Sequence, residues 1–196
     1  SIEKDKDVTE YDLTYDPEAI KQLNADQKVA FEQIFDRIDA RKYGNYLLHG
    51  ITGSGKTEVY IHALKQVIEQ GRTGIVLVPE IALTPQTAVF APVQNLGLII
   101  LDEEHDASYK QIDPAPRYHA REVAIVRANH AKAVVIMGSA TPSMQALQMV
   151  EQKKALYLSL KKRHAEATLP KVEIIDLTQY KGAMRGTMSV ALYKAV

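Results

Sequence analysis

The amino-acid sequence predicts an α/β fold in which helices flank a mostly parallel sheet. Three short apolar runs, at residues 75–78, 98–101 and 133–137, have the composition of strands that are buried on both faces. Helical patterns lie between and beside these runs, and strands that alternate with helices are typical of a parallel sheet. A glycine-rich segment at residues 50–57 joins an earlier apolar run to a helical pattern.

Composition places the chain among ordinary globular proteins. It has 196 residues, of which 46% are apolar and 24% charged, and its formal net charge is zero. A neutral chain creates no overall field that attracts a polyanion, so any contact with nucleic acid must come from local geometry. The absence of cysteine excludes disulfides and thiolate metal sites within this chain. No apolar run approaches the length of a membrane span or a signal-peptide core, so we expect a soluble, cytoplasmic protein.

The first helix is expected after Asn24. Residues 1–16 are charged and poor in large apolar side chains, which predicts a linker or arm from an absent upstream region. Asn24 is a favourable N-cap, and Gln27 lies at the third helical position, where it would complete a capping box. The apolar residues that follow share one helical face; they are Phe31, Ile34, Phe35 and Ile38.

Further elements follow from the same periodicities. A helix is predicted from Thr57 to about residue 70, where a glycine ends it. Two more helices are predicted at about residues 119–130 and 142–153, the second with Thr141 as its N-cap. Residues 156–160 and 172–177 are additional strand candidates, and residues 189–196 have the pattern of a helix that is cut short.

The interval between Val78 and Leu98 does not fit this scheme. It contains 19 residues, three of them proline, and has no helical pattern. Two parallel strands need a crossover of a dozen or more residues, which is usually a helix. We therefore predict that the sequence is discontinuous in this interval.

Residues 50–57 fit the phosphate-binding pattern G-x-x-x-x-G-K-[ST] without a mismatch. Its glycines allow successive backbone N–H groups to point at phosphate oxygens. Lys56 would reach the β- and γ-phosphates of a nucleoside triphosphate, and the Thr57 hydroxyl would ligate Mg²⁺. The predicted nucleotide-binding residues are Gly50, Thr52, Gly53, Ser54, Gly55, Lys56 and Thr57, together with Gln27 if it reads adenine. The alternative for the loop is a plain strand-to-helix turn with a surface lysine.

A second motif, Asp102-Glu103-Glu104-His105, follows the apolar run 98–101 directly. In a parallel sheet this position lies at the same edge as the phosphate-binding loop. Asp102 would hold Mg²⁺, and Glu103 would orient or deprotonate the attacking water. Lys56, Glu103 and His105 are therefore the candidate catalytic residues, with His105 linking the phosphate site to neighbouring segments.

A third motif, Gly138-Ser139-Ala140-Thr141-Pro142, also follows an apolar run. Its small hydroxyl side chains could couple the acidic motif to a moving partner, through Ser139 and Thr141. The alternative is a strand-to-helix turn, and Thr141 could serve in both ways.

These motifs, in this order, resemble superfamily 2 helicases and translocases. Several longer segments are similar to the PriA family of bacterial primosomal replication-restart helicases: residues 23–27, 78–86, 102–111, 116–121 and 138–143. The resemblance covers roughly residues 23–178 and is most specific over 102–121. It implies a RecA-like P-loop domain at residues 17–168, the first motor lobe, with the start of a truncated second lobe at 169–196.

The resemblance also implies roles for individual residues. Gln27 would belong to a glutamine motif that recognises adenine. Thr84 and Gln86 would lie near the nucleic-acid track and contact its backbone. Residues 106–121 would form an aromatic-rich loop that senses single-stranded DNA; its candidate DNA contacts are Tyr109, Tyr118, His119 and Arg121. The alternative for the tyrosines is packing on the edge of the sheet.

The sequence departs from the family pattern in three ways. In relatives a long segment separates the motif at 78–86 from the acidic motif, whereas here Thr87 is followed at once by the residues that end that segment. We therefore expect an unresolved or deleted loop near residues 87–88. The family's N-terminal DNA-binding regions are absent, as is most of the second lobe. The arginine finger and the cysteine-rich zinc insertion belong to that lobe, so zinc is expected only there.

The sequence thus predicts the ATP- and Mg²⁺-binding lobe of a helicase that translocates 3′ to 5′ on single-stranded DNA and unwinds stalled replication forks. Expected partners are single-stranded and forked DNA, other primosome proteins and the single-stranded-DNA-binding protein. A nucleotide kinase would need an arginine-rich lid and a base pocket, and neither pattern occurs. A nucleotide-gated DNA-binding or assembly module remains the alternative. With half of the cleft missing, we expect weak nucleotide binding and little hydrolysis.

Overall fold

The computed structural model describes residues 22–79, 88–113 and 115–161, and the backbone of residues 184–185 and 188–189. The chain divides into two units, residues 1–165 and 166–196. In the second unit, strands β8 (Met184–Arg185) and β9 (Met188–Ser189) pair antiparallel. Ser189 therefore ends a strand, where a helix was predicted to begin, and the strand candidate at 172–177 lies outside the described residues.

The first unit contains four described α-helices: α1 (Ala25–Asp39), α2 (Lys56–Glu69), α3 (Ala120–Ala131) and α4 (Met144–Glu151). Its main strands are β1 (Gly44–Gly50), β2 (Thr73–Leu77), β3 (Leu96–Leu101), β6 (Val134–Ser139) and β7 (Leu156–Leu160). A short hairpin of β4 (Lys110–Gln111) and β5 (Tyr118–His119) follows a 3₁₀ turn at Ala107–Tyr109.

The five main strands form one sheet in the order β2-β3-β6-β1-β7, and all four neighbouring pairs are parallel. The prediction of a mostly parallel sheet flanked by helices is therefore confirmed. The three central strands, β3, β6 and β1, are buried almost throughout, as their uninterrupted apolar composition predicts.

Side chains alternate between the two faces of the sheet and build two cores. Leu47 of β1 packs with Ala120, Ala124 and Ala128 of α3, while its neighbours Tyr46 and Leu48 pack with α1 and α2 on the other face. This alternation is the period of two that every β-strand imposes. Burial on both faces fixes the register of β1, because a slip of one residue would exchange the two sets.

Helix α1 has the predicted start. The Asn24 side chain accepts from the Gln27 backbone, and the Gln27 side chain accepts from the Asn24 backbone, which completes the capping box. Ile34 and Ile38 are buried on the predicted face, whereas Phe31 and Phe35 are only half-buried.

Strands β2 and β3 are parallel neighbours joined by residues 78–95. Residues 80–87 lie outside the described part, so the predicted discontinuity near 87–88 stays a prediction. Beyond it, the chain is tied to α3, since the Arg127 guanidinium donates to the carbonyls of Val89 at 2.5 Å and Ala91 at 2.6 Å. Among the described helices, none is both long enough and apolar enough to span a membrane.

Candidate nucleotide-binding site

The glycine-rich loop lies between the end of β1 and the start of α2. Gly53 and Gly55 have φ angles of 78° and 81°, in the left-handed region that glycine alone adopts without strain. The loop borders a pocket of about 410 Å³; its lining residues are Thr52, Gly53, Ser54, Gly55, Lys56, Thr57, Glu58, Asp102 and Glu103. The structure thus brings the first two predicted motifs to one cavity, at the carboxyl edge of the sheet.

Gln27 of α1 is hydrogen-bonded to this loop. Its side-chain oxygen accepts from the Asn24 N–H, and its Nε2 lies 3.2 Å from the carbonyl oxygens of both Ser54 and Gly55. A Cβ at Gly55 would lie 2.1 Å from Nε2, so only glycine permits this approach. The amide is buried and already engaged at both ends, so reading adenine would require Gln27 to exchange these partners.

Lys56 and Ser54 both belong to the loop that borders the pocket; the first carries an ammonium group and the second a hydroxyl. The Lys56 ammonium donates to the Gly50 carbonyl at 2.9 Å and lies 3.7 Å from Glu103 Oε1. Ser54 Oγ is buried and has no hydrogen-bond partner in the structure. A Cβ at Gly50 would lie 2.3 Å from this oxygen, so the hydroxyl is packed against the end of β1.

Glu103 occupies a strained position. Its φ of 46° is in the left-handed region, which is uncommon for a residue with a side chain. The carboxylate lies between Lys56 and His105, whose Nδ1 is 3.6 Å from Glu103 Oε2. Lys56 and His105 therefore each contact Glu103, and Lys56 and Glu103 line the pocket.

His105 connects the acidic motif to the end of β6. Its Nδ1 lies 2.8 Å from Ser139 Oγ, and its Nε2 lies 3.4 Å from Thr141 Oγ1. Ser139 also accepts from the Thr141 N–H at 3.0 Å. The two predicted coupling residues thus contact the predicted sensor. The prediction that Thr141 caps the next helix is wrong: Ser143 is the N-cap of α4 and accepts from the Ala146 N–H.

A buried carboxylate, Glu104, forms a second connection that the sequence reasoning missed. It accepts from the Ser143 N–H at 2.7 Å, the Ser143 hydroxyl at 2.9 Å and Arg121 Nη1 at 3.0 Å. Glu104 and Arg121 are both almost fully buried, so each charge depends on the other. The sequence signal was the third acid in the motif, which has no oppositely charged residue three or four positions away.

Two residues predicted to contact DNA lie inside the protein. Arg121 is engaged by Glu104, and release to a phosphate would leave that buried carboxylate unpaired. Tyr109 is fully buried, with its hydroxyl 2.8 Å from the Leu77 carbonyl and 2.6 Å from the Asp102 carbonyl, and burial raises its pKa. Packing at the sheet edge, the alternative for the tyrosines, is what the structure gives for Tyr109.

An exposed surface lies beside them. It consists of Phe90, Ile112, Arg117 and Tyr118, which we call the hairpin surface. Phe90 is 54% and Ile112 63% exposed, and the Phe90 ring meets the half-buried Tyr118 ring edge to face at 5.2 Å. Arg117 is exposed and donates from Nε to the Ile112 carbonyl. Of these four, sequence reasoning selected only Tyr118, and the other DNA candidates Thr84 and Gln86 lie outside the described residues.

His119 serves as the N-cap of α3. Its Nδ1 accepts from the Arg121 N–H at 3.2 Å, so the ring must be neutral at that nitrogen. Burial, followed by the positive charge of Arg121, lowers the pKa of His119 below its ordinary value of 6.5. The predicted DNA contact is therefore also a structural cap.

The donor set fits Mg²⁺ bound together with phosphates. In the described part of the chain, no three His, Cys, Asp or Glu residues gather into a metal-binding group. Magnesium is commonly held by one or two protein oxygens plus substrate phosphates and water. Thr57 and Asp102 both line the pocket and supply a hydroxyl and a carboxylate of this kind.

Comparisons with known proteins agree with the motifs. The family model described as "Type III restriction enzyme, res subunit" matches residues 20–95. Three relatives are each named "Replication restart protein PriA". The Bacillus subtilis protein is 37% identical over 215 residues, that of Chlamydia pneumoniae 36% over 209, and that of Haemophilus influenzae 37% over 199. These matches cover 87%, 84% and 79% of this chain but only 27%, 28% and 27% of the relatives.

The predicted resemblance is thereby confirmed, and the chain spans little more than a quarter of the length of these relatives. The alignment with the Bacillus protein is longer than the 196 residues of this chain, although only 87% of the chain takes part. The relative therefore has residues within the aligned region that this chain lacks. A solved structure titled "Crystal Structure of the DnaI" matches with a TM-score of 0.43 at 16% identity, over 71% of this chain and 85% of that one.

Replacing Glu104 tests the buried connection. Glu104→Gln removes the only buried counter-charge among the described residues that pair with Arg121 and leaves the exposed Glu122 as its remaining ion pair, so we expect the free energy of unfolding to fall by about 3–5 kcal/mol. Glu122→Gln is the matched control, because Glu122 also pairs with Arg121 but is 54% exposed. It should cost less than about 1 kcal/mol. Urea unfolding followed by circular dichroism measures both, and equal losses would contradict the role given to Glu104.

The His119 cap predicts a pH dependence. Because its pKa is lowered in the folded state, the unfolded chain takes up the proton first as pH falls below 6.5. The free energy of unfolding should therefore have its full value above that pH and should decrease as the pH falls below it. His119→Asn keeps a capping side chain but cannot titrate, so its profile should be flatter between about pH 7 and pH 5. His130→Asn on the same helix should keep the decrease; a parent-like slope in His119→Asn would refute the prediction.

Proposed function

Because the chain is related in sequence to the PriA replication restart proteins, we propose that it is the ATP-binding motor lobe of a DNA helicase. The helicase would couple ATP hydrolysis to 3′ to 5′ translocation on single-stranded DNA and to unwinding at stalled replication forks, in the bacterial cytoplasm. The observation that carries this proposal is that Lys56 and Glu103 line one pocket beside the phosphate-binding loop, with Glu103 in contact with both Lys56 and His105.

The pocket has the chemistry of a triphosphate site. The loop presents backbone N–H groups at the start of α2, where the helix dipole also favours negative charge. Lys56, which lines the pocket, adds a positive charge. Magnesium, held by Thr57 and Asp102, would neutralise charge that develops on the phosphates.

Glu103 is the residue best placed to act on water. Its carboxylate is accessible at the pocket and contacts both Lys56 and His105. A γ-phosphate that draws the Lys56 ammonium towards itself would release Glu103 to accept a proton from the attacking water. His105 would report this change to Ser139 and Thr141, with which it is in contact.

The DNA track is proposed to cross the hairpin surface. Aromatic rings stack on bases without regard to sequence, and arginine contacts phosphates. Glu104 and Arg121 connect the acidic motif to α3, which begins directly after β5 of the hairpin. A conformational change at the nucleotide pocket could thus be transmitted to the DNA through the Glu104–Arg121 ion pair. A change caused by DNA binding could be transmitted to the pocket in the same way. Thr84 and Gln86 remain proposed backbone contacts.

A nucleotide-gated DNA-binding or assembly module is the second candidate. The phosphate-binding loop and the hairpin surface suffice for it, whereas turnover needs a second lobe to complete the cleft. Other primosome proteins and the single-stranded-DNA-binding protein are proposed partners of the whole protein. The segment proposed to be missing near residues 87–88 is supported by the residues that the Bacillus relative has and this chain lacks.

Two substitutions separate binding from hydrolysis. Lys56→Ala removes a charge-assisted contact with phosphate and should weaken binding of a fluorescent ATP analogue about tenfold or more. Glu103→Gln should leave binding unchanged but lower single-turnover hydrolysis, measured with excess protein, about 100-fold or more. Lys65→Ala, on the exposed side of α2, is the control for Lys56 and should change neither. Hydrolysis at the parental rate in Glu103→Gln would contradict the role given to Glu103, and nucleotide binding without hydrolysis in the parent would favour the binding module over the motor.

The hairpin surface is tested with a labelled oligo-dT strand. Tyr118→Ala and Arg117→Ala should each weaken binding about fivefold or more, because stacking contributes about 1–3 kcal/mol per base. Arg117→Ala should also reduce the salt dependence of binding, since it removes a phosphate contact. Lys28→Ala, exposed on α1, should bind as the parent does. Parental affinity in both hairpin variants would place the DNA elsewhere.

A further inference from the structure

Tyr60 joins the helix that follows the phosphate-binding loop to the acidic motif. It lies one turn into α2 and is 5% exposed. Its hydroxyl donates to Asp102 Oδ1 at 3.0 Å. Asp102 in turn lines the nucleotide pocket, whereas the Tyr60 side chain does not. The tyrosine therefore contacts the candidate metal ligand from outside the cavity.

Gly138, at the end of β6, makes room for this contact. A Cβ at Gly138 would lie 1.6 Å from the Tyr60 hydroxyl oxygen and 3.4 Å from Asp102 Oδ1. The first distance is far below any real contact of a Cβ atom, and the obstacle is the end of a buried ring that cannot swing aside. Tyr60 of α2 and Asp102, which follows β3, thus meet at one hydrogen bond. Gly138 of β6, in the third motif, leaves the space that this contact needs.

We infer that Tyr60 is a positioning residue for Asp102: it fixes the carboxylate that would ligate Mg²⁺, and Gly138 is there to admit its hydroxyl. This role rests on the proposed function, because it assumes a nucleotide–magnesium complex in the pocket. Outer partners of this kind orient metal ligands, and their loss typically weakens metal binding about 10–100-fold.

The chemistry of the pair suits this role. The phenolic hydroxyl supplies the proton and the carboxylate accepts it, so the 3.0 Å hydrogen bond runs from Tyr60 to Asp102. A carboxylate has about four lone-pair positions, so one hydrogen bond leaves the rest for a metal ion or its water. The hydrogen bond therefore orients the Asp102 carboxylate and leaves its other lone pairs available.

In the other buried tyrosines, the hydrogen bond does no more than give a buried hydroxyl a partner. This explanation does not account for Tyr60. In the described part of the chain, Tyr46 donates to the Gln33 carbonyl, and Tyr109 lies against the carbonyls of Leu77 and Asp102. Tyr60 alone among these three reaches a carboxylate. The other two hydroxyls are satisfied by backbone carbonyls, whereas the stronger, charge-assisted bond from Tyr60 holds the carboxylate of a pocket residue.

The test is the magnesium dependence of nucleotide binding by the complete 196-residue chain. Tyr60→Phe removes only the hydroxyl. Binding of a fluorescent, non-hydrolysable ATP analogue is measured in EDTA and in a Mg²⁺ titration. We expect the affinity in EDTA to stay within about twofold, while the Mg²⁺ concentration for half-maximal enhancement rises about 10–100-fold. Tyr46→Phe is the matched control, with the same chemical change at a buried tyrosine far from the pocket, and should titrate as the parent does.

The outcomes are distinct. If Tyr60→Phe and Tyr46→Phe show the same Mg²⁺ dependence, the positioning role is wrong although the proposed function stands. If the parent chain binds no nucleotide, or binds it without regard to Mg²⁺, the proposed function fails and this role fails with it.

A double-mutant cycle provides a second measurement that does not depend on nucleotide. Gly138→Ala should lower the midpoint of thermal unfolding strongly in the parent and less in the Tyr60→Phe background, because the closest obstacle is then gone. Additive losses would show that the hydroxyl does not occupy the space left by Gly138, and would overturn that part of the inference.

Discussion

The parallel pairing of β1, β3 and β6 is the constraint on which the site depends. Each strand ends at the same edge of the sheet, and each is followed by a segment that carries chemistry: the phosphate-binding loop, the acidic motif and the hydroxyl-rich turn. These segments are far apart in the sequence, and only the register of the strands brings them within hydrogen-bond distance. Burial on both faces makes that register the one arrangement that keeps both cores apolar.

Polar side chains then tie the three segments together in two layers. At the surface, His105 contacts Glu103, Ser139 and Thr141. Beneath it, Glu104 holds Arg121 and the start of α4 in a buried cluster. The outer contacts are accessible and can rearrange with a ligand, whereas the inner ones are costly to break. A site with a movable layer on a fixed one can change locally while the sheet beneath keeps its shape.

Much of the fold could be predicted because its signals are local. Uninterrupted apolar runs identified the buried strands, and the glycine-lysine pattern identified the loop, since both depend on neighbours in sequence. The contact of Gln27 with the loop, and the burial of Tyr109 and Arg121, could not be predicted in this way. Each is polar or amphipathic, and whether it faces solvent depends on partners 17 to 32 residues away. Arg117 and Phe90 were overlooked for the same reason, because exposure is a property of the packed structure.

The left-handed backbone of Glu103 has a consequence for how this site could evolve. A side chain at that φ is held against its own conformational preference, and asparagine or glycine would fit the position with less strain. Selection for stability alone would therefore remove the carboxylate. Under the proposed function, the carboxylate is kept for its chemistry at a cost in backbone conformation, and a chain improved only for stability would be expected to lose this residue early.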